Sequence, residues 1–264
     1  MKKLAGMGAG TAMWATNIEN EYGQILNSVL TAGEGHELVP MINGIVMRYQ
    51  QAGQQPPEIL YVDRDCCGPS SIKHIFQDWP DLVVRMDIWH FMRRLSVGCT
   101  TDSHQLYALF MSRLSQCIFV WDSEDIEQLK AAKRSEMLQE SISLPSDVDV
   151  LHRISRSEMA LHCRRTTRGE KETIALITEL LSAFDGDTGK DTLGVPLLNT
   201  QRMQDIWQKH QKHVACIQDK PEFQLYIQTG TVLKGGIRLP KYRCARGSTS
   251  LESCHLHMNR FIPG

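Results

Sequence analysis

Two acids, Asp63 and Glu252, fall at element ends where side chains that do chemistry often sit. Glu58-Ile59-Leu60-Tyr61-Val62-Asp63 is a short apolar run of the kind that makes a buried central strand, and it ends on Asp63. Side chains at the carboxyl ends of strands reach a shared crevice at the sheet edge, which makes Asp63 a candidate ligand. Far along the chain, Glu252 falls in the first turn of a helix expected to open at Arg246-Gly247-Ser248-Thr249-Ser250, with Ser248 or Ser250 as its N-cap. Neither acid is diagnostic alone: aspartates end many strands, and the helix dipole favours a glutamate in a first turn without any function. A second apolar run, Asp81-Leu82-Val83-Val84-Arg85-Met86, also ends at an acid, Asp87, three residues before His90. His90 could tune a metal site or satisfy a buried hydrogen bond beside Asp87, and the structural role is preferred.

Thiols and imidazoles offer a second kind of chemistry. The eight cysteines include no Cys-x-x-Cys pair and are scattered along the chain, as reduced thiols are, rather than arrayed as a disulfide framework. Cys244, Cys254, His255 and His257 cluster near the end, but their spacing is not one used by zinc sites, so zinc is not expected. The adjacent Cys66-Cys67 pair reads as small apolar filling beside the crevice rather than as a chelate.

The elements that must position these residues can be read in order. Residues 11–18 and 24–31 are rich in Thr, Ile, Val, Trp and Leu around a turn-like Glu-Asn-Glu-Tyr-Gly, which predicts an antiparallel hairpin. Leu38, Met41, Ile42, Ile45, Val46 and Tyr49 recur at helical spacing until Gly53 and Pro56-Pro57. The strand ending at Asp63, a short helix over 71–77 and the strand ending at Asp87 alternate, which implies parallel pairing. From Trp89 to Lys220 the pattern is helical, over 106–119, 124–139, 172–184 and 201–217, with the polar stretches 164–169 and 185–191 as connections. Strand character returns at Phe223-Gln-Leu-Tyr-Ile227 and near Gly236-Ile-Arg-Leu239.

Composition sets wide limits. With 264 residues and 42% apolar content the chain can bury a real core, and a net charge of −1 with pI near 6.8 gives no global field for nucleic acid. Locally, residues 201–246 carry nine Lys or Arg against three acids, so Lys234, Arg238, Lys241 and Arg243 are candidate DNA contacts, equally readable as a solvated face. No run is long enough to span a membrane and no secretory leader is evident, which places the chain in the nucleus or cytoplasm.

Tyr61-Val-Asp-Arg-Asp-Cys-Cys, then Phe-Gln-Asp-Trp-Pro, then Val-Val-Arg-Met-Asp-Ile-Trp-His90 forms an ordered string that resembles the second-aspartate region of Mutator-like and hAT-like DDE transposases. Arg246-Gly-Ser-Thr-Ser-Leu-Glu252 resembles the segment around that group's glutamate. The resemblance implies an α/β, RNase H-like mixed sheet interrupted by a large all-helical insertion: residues 1–88 as the first part of the core, 89–220 as the insertion, and 221–264 as returning strands and the Glu-bearing helix. It implies that Asp63 and Glu252 ligate Mg²⁺ or Mn²⁺, that Asp87, His90 and Arg246 support the motif, and that the partner is DNA, engaged by a homo-oligomer. Such enzymes hold two ions about 4 Å apart on three carboxylates. The first of the three has no match here, because no aspartate precedes Asp63. The first strand is expected to be missing, the chain truncated at both ends, and catalysis compromised. The alternative is a non-catalytic protein–protein interaction module built on the same decayed fold.

Overall fold

Strand, turn and helix signals in the first ninety residues are each realised, and the reasons are local. The structure, a computed structural model, describes residues 2–3, 14–31, 38–140, 144–247 and 255. Contacts divide it into two units: unit 1 is Met1–Phe91 with Arg246–Gly264, and unit 2 is Met92–Ala245.

In unit 1, β1 (Lys2–Lys3), β2 (Trp14–Glu19) and β3 (Ile25–Thr31) form an antiparallel sheet in that order. Asn20 sets the turn between β2 and β3, its Oδ1 accepting from the backbone N–H of Tyr22 and Gln24, while Gly23 supplies a φ of +77°. Helix α1 (Leu38–Gln51) tolerates Pro40 because it lies in the first turn, where no intrahelical donor is lost. Its buried stripe of Ile42, Ile45 and Val46 packs with Phe76, Trp79 and Leu82.

Strands β4 (Ile59–Val62) and β5 (Val83–Met86) pair in parallel, Ile59 opposite Val83 through Val62 opposite Met86. This register matters for the site: it brings Asp63 and Asp87 to the same end of the same strand pair. The link between them runs through a short 3-10 helix (Ile72–Ile75) capped by Ser71. Helix α2 (Ile88–Ser96) starts directly after Asp87.

Unit 2 holds α3 (Tyr107–Ile118), β6 (Phe119–Trp121), α4 (Ser123–Gln139), α5 (Asp147–Arg153), α6 (Arg156–His162), β7 (Arg165–Thr167), α7 (Glu170–Asp185), α8 (Thr200–His210), a 3-10 segment (Gln211–Ile217), β8 (Tyr226–Lys234) and β9 (Ile237–Cys244). Helices α5 and α6 open on full capping boxes, Ser146 with Asp149 and Ser155 with Glu158. One core cluster of this unit gathers Leu129, Ala132, Cys163 and Leu239.

The chain is thus mixed α/β with small sheets, and it departs from the sequence reading in several places. Among the described residues, β1–β3 and β4–β5 are separate sheets rather than one mixed sheet. Ahead of the hairpin, Lys2–Lys3 adds a two-residue strand that pairs antiparallel with Trp14 and Ala15. The block 89–220 is not wholly helical: Arg165–Thr167, taken for a connection, pairs antiparallel with Phe119–Trp121. The returning strands are one hairpin, β8 with β9, and they belong to unit 2 instead of the core around β4 and β5. The reason is close packing at their turn. Gly235 and Gly236 both take positive φ, and a Cβ on Gly235 would stand 2.5 Å from the Ala132 carbonyl of α4, so the turn lies against that helix. The helix expected from Ser248 lies outside the described residues, His255 excepted.

Candidate functional site

Asp63, Asp87 and His90 meet in unit 1. Asp87 is 3% exposed and stands at the N-cap of α2, where its Oδ1 accepts from the His90 backbone N–H at 3.1 Å and its backbone carbonyl accepts from the Phe91 N–H at 3.0 Å. The His90 ring then turns back so that Nδ1 lies 3.4 Å from Asp87 Oδ1 and 3.7 Å from Asp63 Oδ1. One imidazole therefore stands between two carboxylates presented by adjacent strand ends. Asp63 differs from Asp87 in access: its side chain is 37% exposed, against 4% for Asp87. Trp89 packs its ring edge-on against His90, 4.9 Å between centroids.

The closing segment of the chain reaches the same place. Gly247, at φ +87°, approaches Asp87 so closely that a Cβ built on it would lie 2.7 Å from Asp87 Oδ2. Eight residues on, buried His255 accepts a 2.9 Å hydrogen bond at Nε2 from Asn17 Nδ2 of β2. Arg246 is described and half-buried beside Gly247. Glu252, between these two anchors in sequence, lies outside the described residues, as do Cys254 and His257.

Just past Asp63, Cys66 is buried and Cys67 exposed, with their sulfurs 3.8 Å apart. Two thiolates on one tetrahedral zinc, with bonds of about 2.3 Å, stand about 3.8 Å apart. The adjacent pair is therefore spaced as two thiolates on one ion would be. The basic hairpin divides by residue. Lys234 is held by Glu158 at 2.5 Å, whereas Arg238 and Arg243 are exposed and Lys241 half-buried.

Unit 2 contains a donor file that the sequence reading passed over. His210, His213 and Cys216 follow one another at intervals of three, from the end of α8 through the 3-10 segment. The His210 and His213 ring centroids are 5.8 Å apart, and the donor atoms of His213 and Cys216 lie within 4.8 Å. Burial lowers the His210 pKa, and Arg94, His213, Lys212 and Lys209 add to the effect. A search for Cys-x-x-Cys alone misses this file; a search for any His or Cys at three-residue spacing finds it.

Comparison of the chain with protein-family models, with curated proteins and with solved structures gives no match.

Proposed function

We propose that the chain is a transposon-derived, RNase H-like protein that engages DNA and retains only part of a divalent-cation site. The observation that carries this reading is the meeting of Asp63, Asp87, His90 and Gly247. Two sequence blocks more than 150 residues apart, each similar to a DDE transposase motif, are brought together within unit 1. A discontinuous unit 1, left at Phe91 and rejoined at Arg246, supports the idea of a long insertion between the second aspartate and the glutamate.

Asp63 is an accessible carboxylate and would hold Mg²⁺ or Mn²⁺ with Glu252, while Asp87 is engaged by the helix cap and by His90. When bound, such an ion polarises a phosphodiester and activates the attacking oxygen. Around it, this chain's residues do supporting work: Asp87 fixes the start of α2, and the His90 ring stands between the two strand ends. Lys2 and Lys3 pair with β2 ahead of the hairpin and bring no carboxylate to it. DNA engagement falls to cations such as Arg238 and Arg243.

The test is a labelled-duplex mobility shift across a salt series, with a nicking assay in Mn²⁺ using Asp63→Asn as control. Expected is binding that weakens as salt rises, with no nicking above the control. Failure to bind duplex at low salt would overturn the reading. A protein-interaction role is favoured by one observation: Leu144, Val148 and Leu151 expose apolar side chains at and before α5, 91%, 62% and 48% respectively.

A further inference from the structure

Helix α8 and the 3-10 segment after it present positive charge that no neighbouring acid answers, and what this charge does rests on the reading above that the chain engages DNA. We infer that this face of unit 2, with Lys209 and Lys212 at its centre, seats the phosphate backbone of duplex DNA, apart from the β8–β9 hairpin.

The cations share one side of the element. Arg202 and Lys209 are seven residues apart, two helical turns, so they stand on one face of α8 and roughly 10 Å apart along its axis. Lys212 follows Lys209 by three as the helix passes into the 3-10 segment, and a three-residue step keeps it on that side. All three side chains are exposed.

Helix α2 adds to the charge. Arg202 Nη1 donates to the Val97 carbonyl at 3.3 Å, and the Asn199 N–H donates to the Gly98 carbonyl at 3.0 Å, so the end of α2 meets the start of α8. At the other end of α8, half-buried His210 stands with its ring centroid 5.8 Å from that of His213. Burial lowers the His210 pKa, and Arg94 of α2, His213, Lys212 and Lys209 lower it further. The basic groups therefore gather around one place.

Elsewhere in unit 2, lysines are answered by acids: Lys130 by Glu127, Lys133 by Glu136 and Glu158, Lys190 by Asp187, and Lys234 by Glu158. Lys209 and Lys212 make no ion pair among the described residues, and Asp205, the acid of α8, accepts from Gln201 instead. Such a row repels itself and collects counterions, and phosphates that replace those counterions bind with a gain set by their release.

The test is duplex binding by the full chain across about 50 to 200 mM salt, in wild type, Lys209→Gln/Lys212→Gln and Lys130→Gln/Lys190→Gln. Each phosphate contact adds about 0.9 to the slope of log affinity against log salt, so losing two should lower the slope by about 1.8. Over that range the wild type should then lose about twelve times more affinity than Lys209→Gln/Lys212→Gln. Lys130→Gln/Lys190→Gln removes the same net charge from lysines already paired and should keep the wild-type slope. Circular dichroism checks the fold of each variant, and Lys209→Arg/Lys212→Arg should keep the wild-type slope. A wild type that fails to bind duplex at low salt overturns the reading above and this inference with it. A wild type that binds, with an unchanged slope in folded Lys209→Gln/Lys212→Gln, overturns this inference alone. An equal fall in both double glutamine variants would also overturn it, because net charge rather than its place would be the cause.

Discussion

Gly247→Ala tests the contact that ties the end of the chain to Asp87. The new methyl group meets two obstacles. A residue with a Cβ at φ +87° carries roughly 1–2 kcal/mol of backbone strain. The Cβ would also stand 2.7 Å from Asp87 Oδ2, well inside van der Waals contact. Asp87 has little room to move, because it is buried and its Oδ1 accepts from the His90 N–H at 3.1 Å. Displacing it sacrifices a hydrogen bond to the carboxylate, worth roughly 1.5–3 kcal/mol, so the total comes to roughly 2.5–5 kcal/mol. Gly53→Ala is the internal control, since Gly53 has φ +61° in the same unit but nothing within 4 Å of its built Cβ. It should cost only the strain, roughly 1–2 kcal/mol. Native-state hydrogen exchange at the Val83 and Asp87 amides, which bond to Glu58 and Val62 across β4 and β5, reads the opening free energy of unit 1. In an Asp87→Ala background the Gly247 substitution should fall to the control's value, a coupling of roughly 1.5–3 kcal/mol. The reasoning fails if Gly247→Ala costs no more than Gly53→Ala, or if it costs the same in both backgrounds.

Three further expectations concern side chains elsewhere. Burial alone would raise the Glu158 carboxyl, but hydrogen bonds from Lys133, Lys234 and Ser155 outweigh it and hold the group well below the carboxylate range. Its stabilisation is complete above the unfolded pKa near 4.3 and declines by about 1.4 kcal/mol per pH unit below it, until the folded group also protonates. Glu158→Gln should therefore lower the urea midpoint of unit 2 at pH 7, and the gap from wild type should narrow between pH 4 and pH 3; a gap that stays constant would refute the assignment. Thiol labelling followed by mass spectrometry should modify exposed Cys67 and Cys244 first, whereas Cys99 and Cys163, pushed up by burial to about 11 and about 12, should resist until unfolding. With sulfurs 3.8 Å apart, Cys66 and Cys67 should chelate a trivalent arsenical together, so substituting either thiol should release it; capture by single-thiol variants with equal affinity would show that the pair does not act jointly.

Legibility in the sequence tracked how local the determinants were. Helix α1 and strands β4 and β5 could be read because their burial follows from neighbouring residues: one apolar stripe, or one short apolar run with breakers on each side. The stretch Arg164 to Arg168 could not, since its polar composition reads as loop. What makes it structure is a buried partner 39 residues earlier, Asp125, which accepts from the Arg164 backbone and guanidinium at 2.8 Å, and the Phe119 ring beneath Arg165, 3.9 Å from the guanidinium carbon. The β8–β9 hairpin was read only as two returning runs of strand character, and its assignment to unit 2 depends on close packing of Gly235 against α4, which no spacing reveals. The Asp63, Asp87 and His90 grouping was within reach because parallel register carries both strand ends to one edge. The thiol and imidazole donors were missed for a different reason: Cys66-Cys67 was judged by adjacency, and the His210 file was hidden by interleaved lysines.

Asp63 and Asp87 look equivalent in sequence, yet their surroundings give them different work. Asp87 Oδ1 accepts from the His90 backbone and lies beside the His90 ring, so the three-residue spacing of Asp-x-x-His is what an N-cap and its N3 residue require. That spacing would persist with no chemistry at all. The Asp63 side chain is 37% exposed at the same edge, against 4% for Asp87. Asp87→Ala should therefore destabilise unit 1 by roughly 1–3 kcal/mol through a lost cap and an unmet His90 N–H. Asp63→Asn, which keeps the side chain's shape at a more accessible position, should cost less stability than Asp87→Ala while reducing Mn²⁺ affinity measured by electron paramagnetic resonance. If the two effects were exchanged, with Asp63 governing stability and Asp87 governing Mn²⁺, the cation would belong to the buried carboxylate and the division of labour drawn from exposure would be wrong.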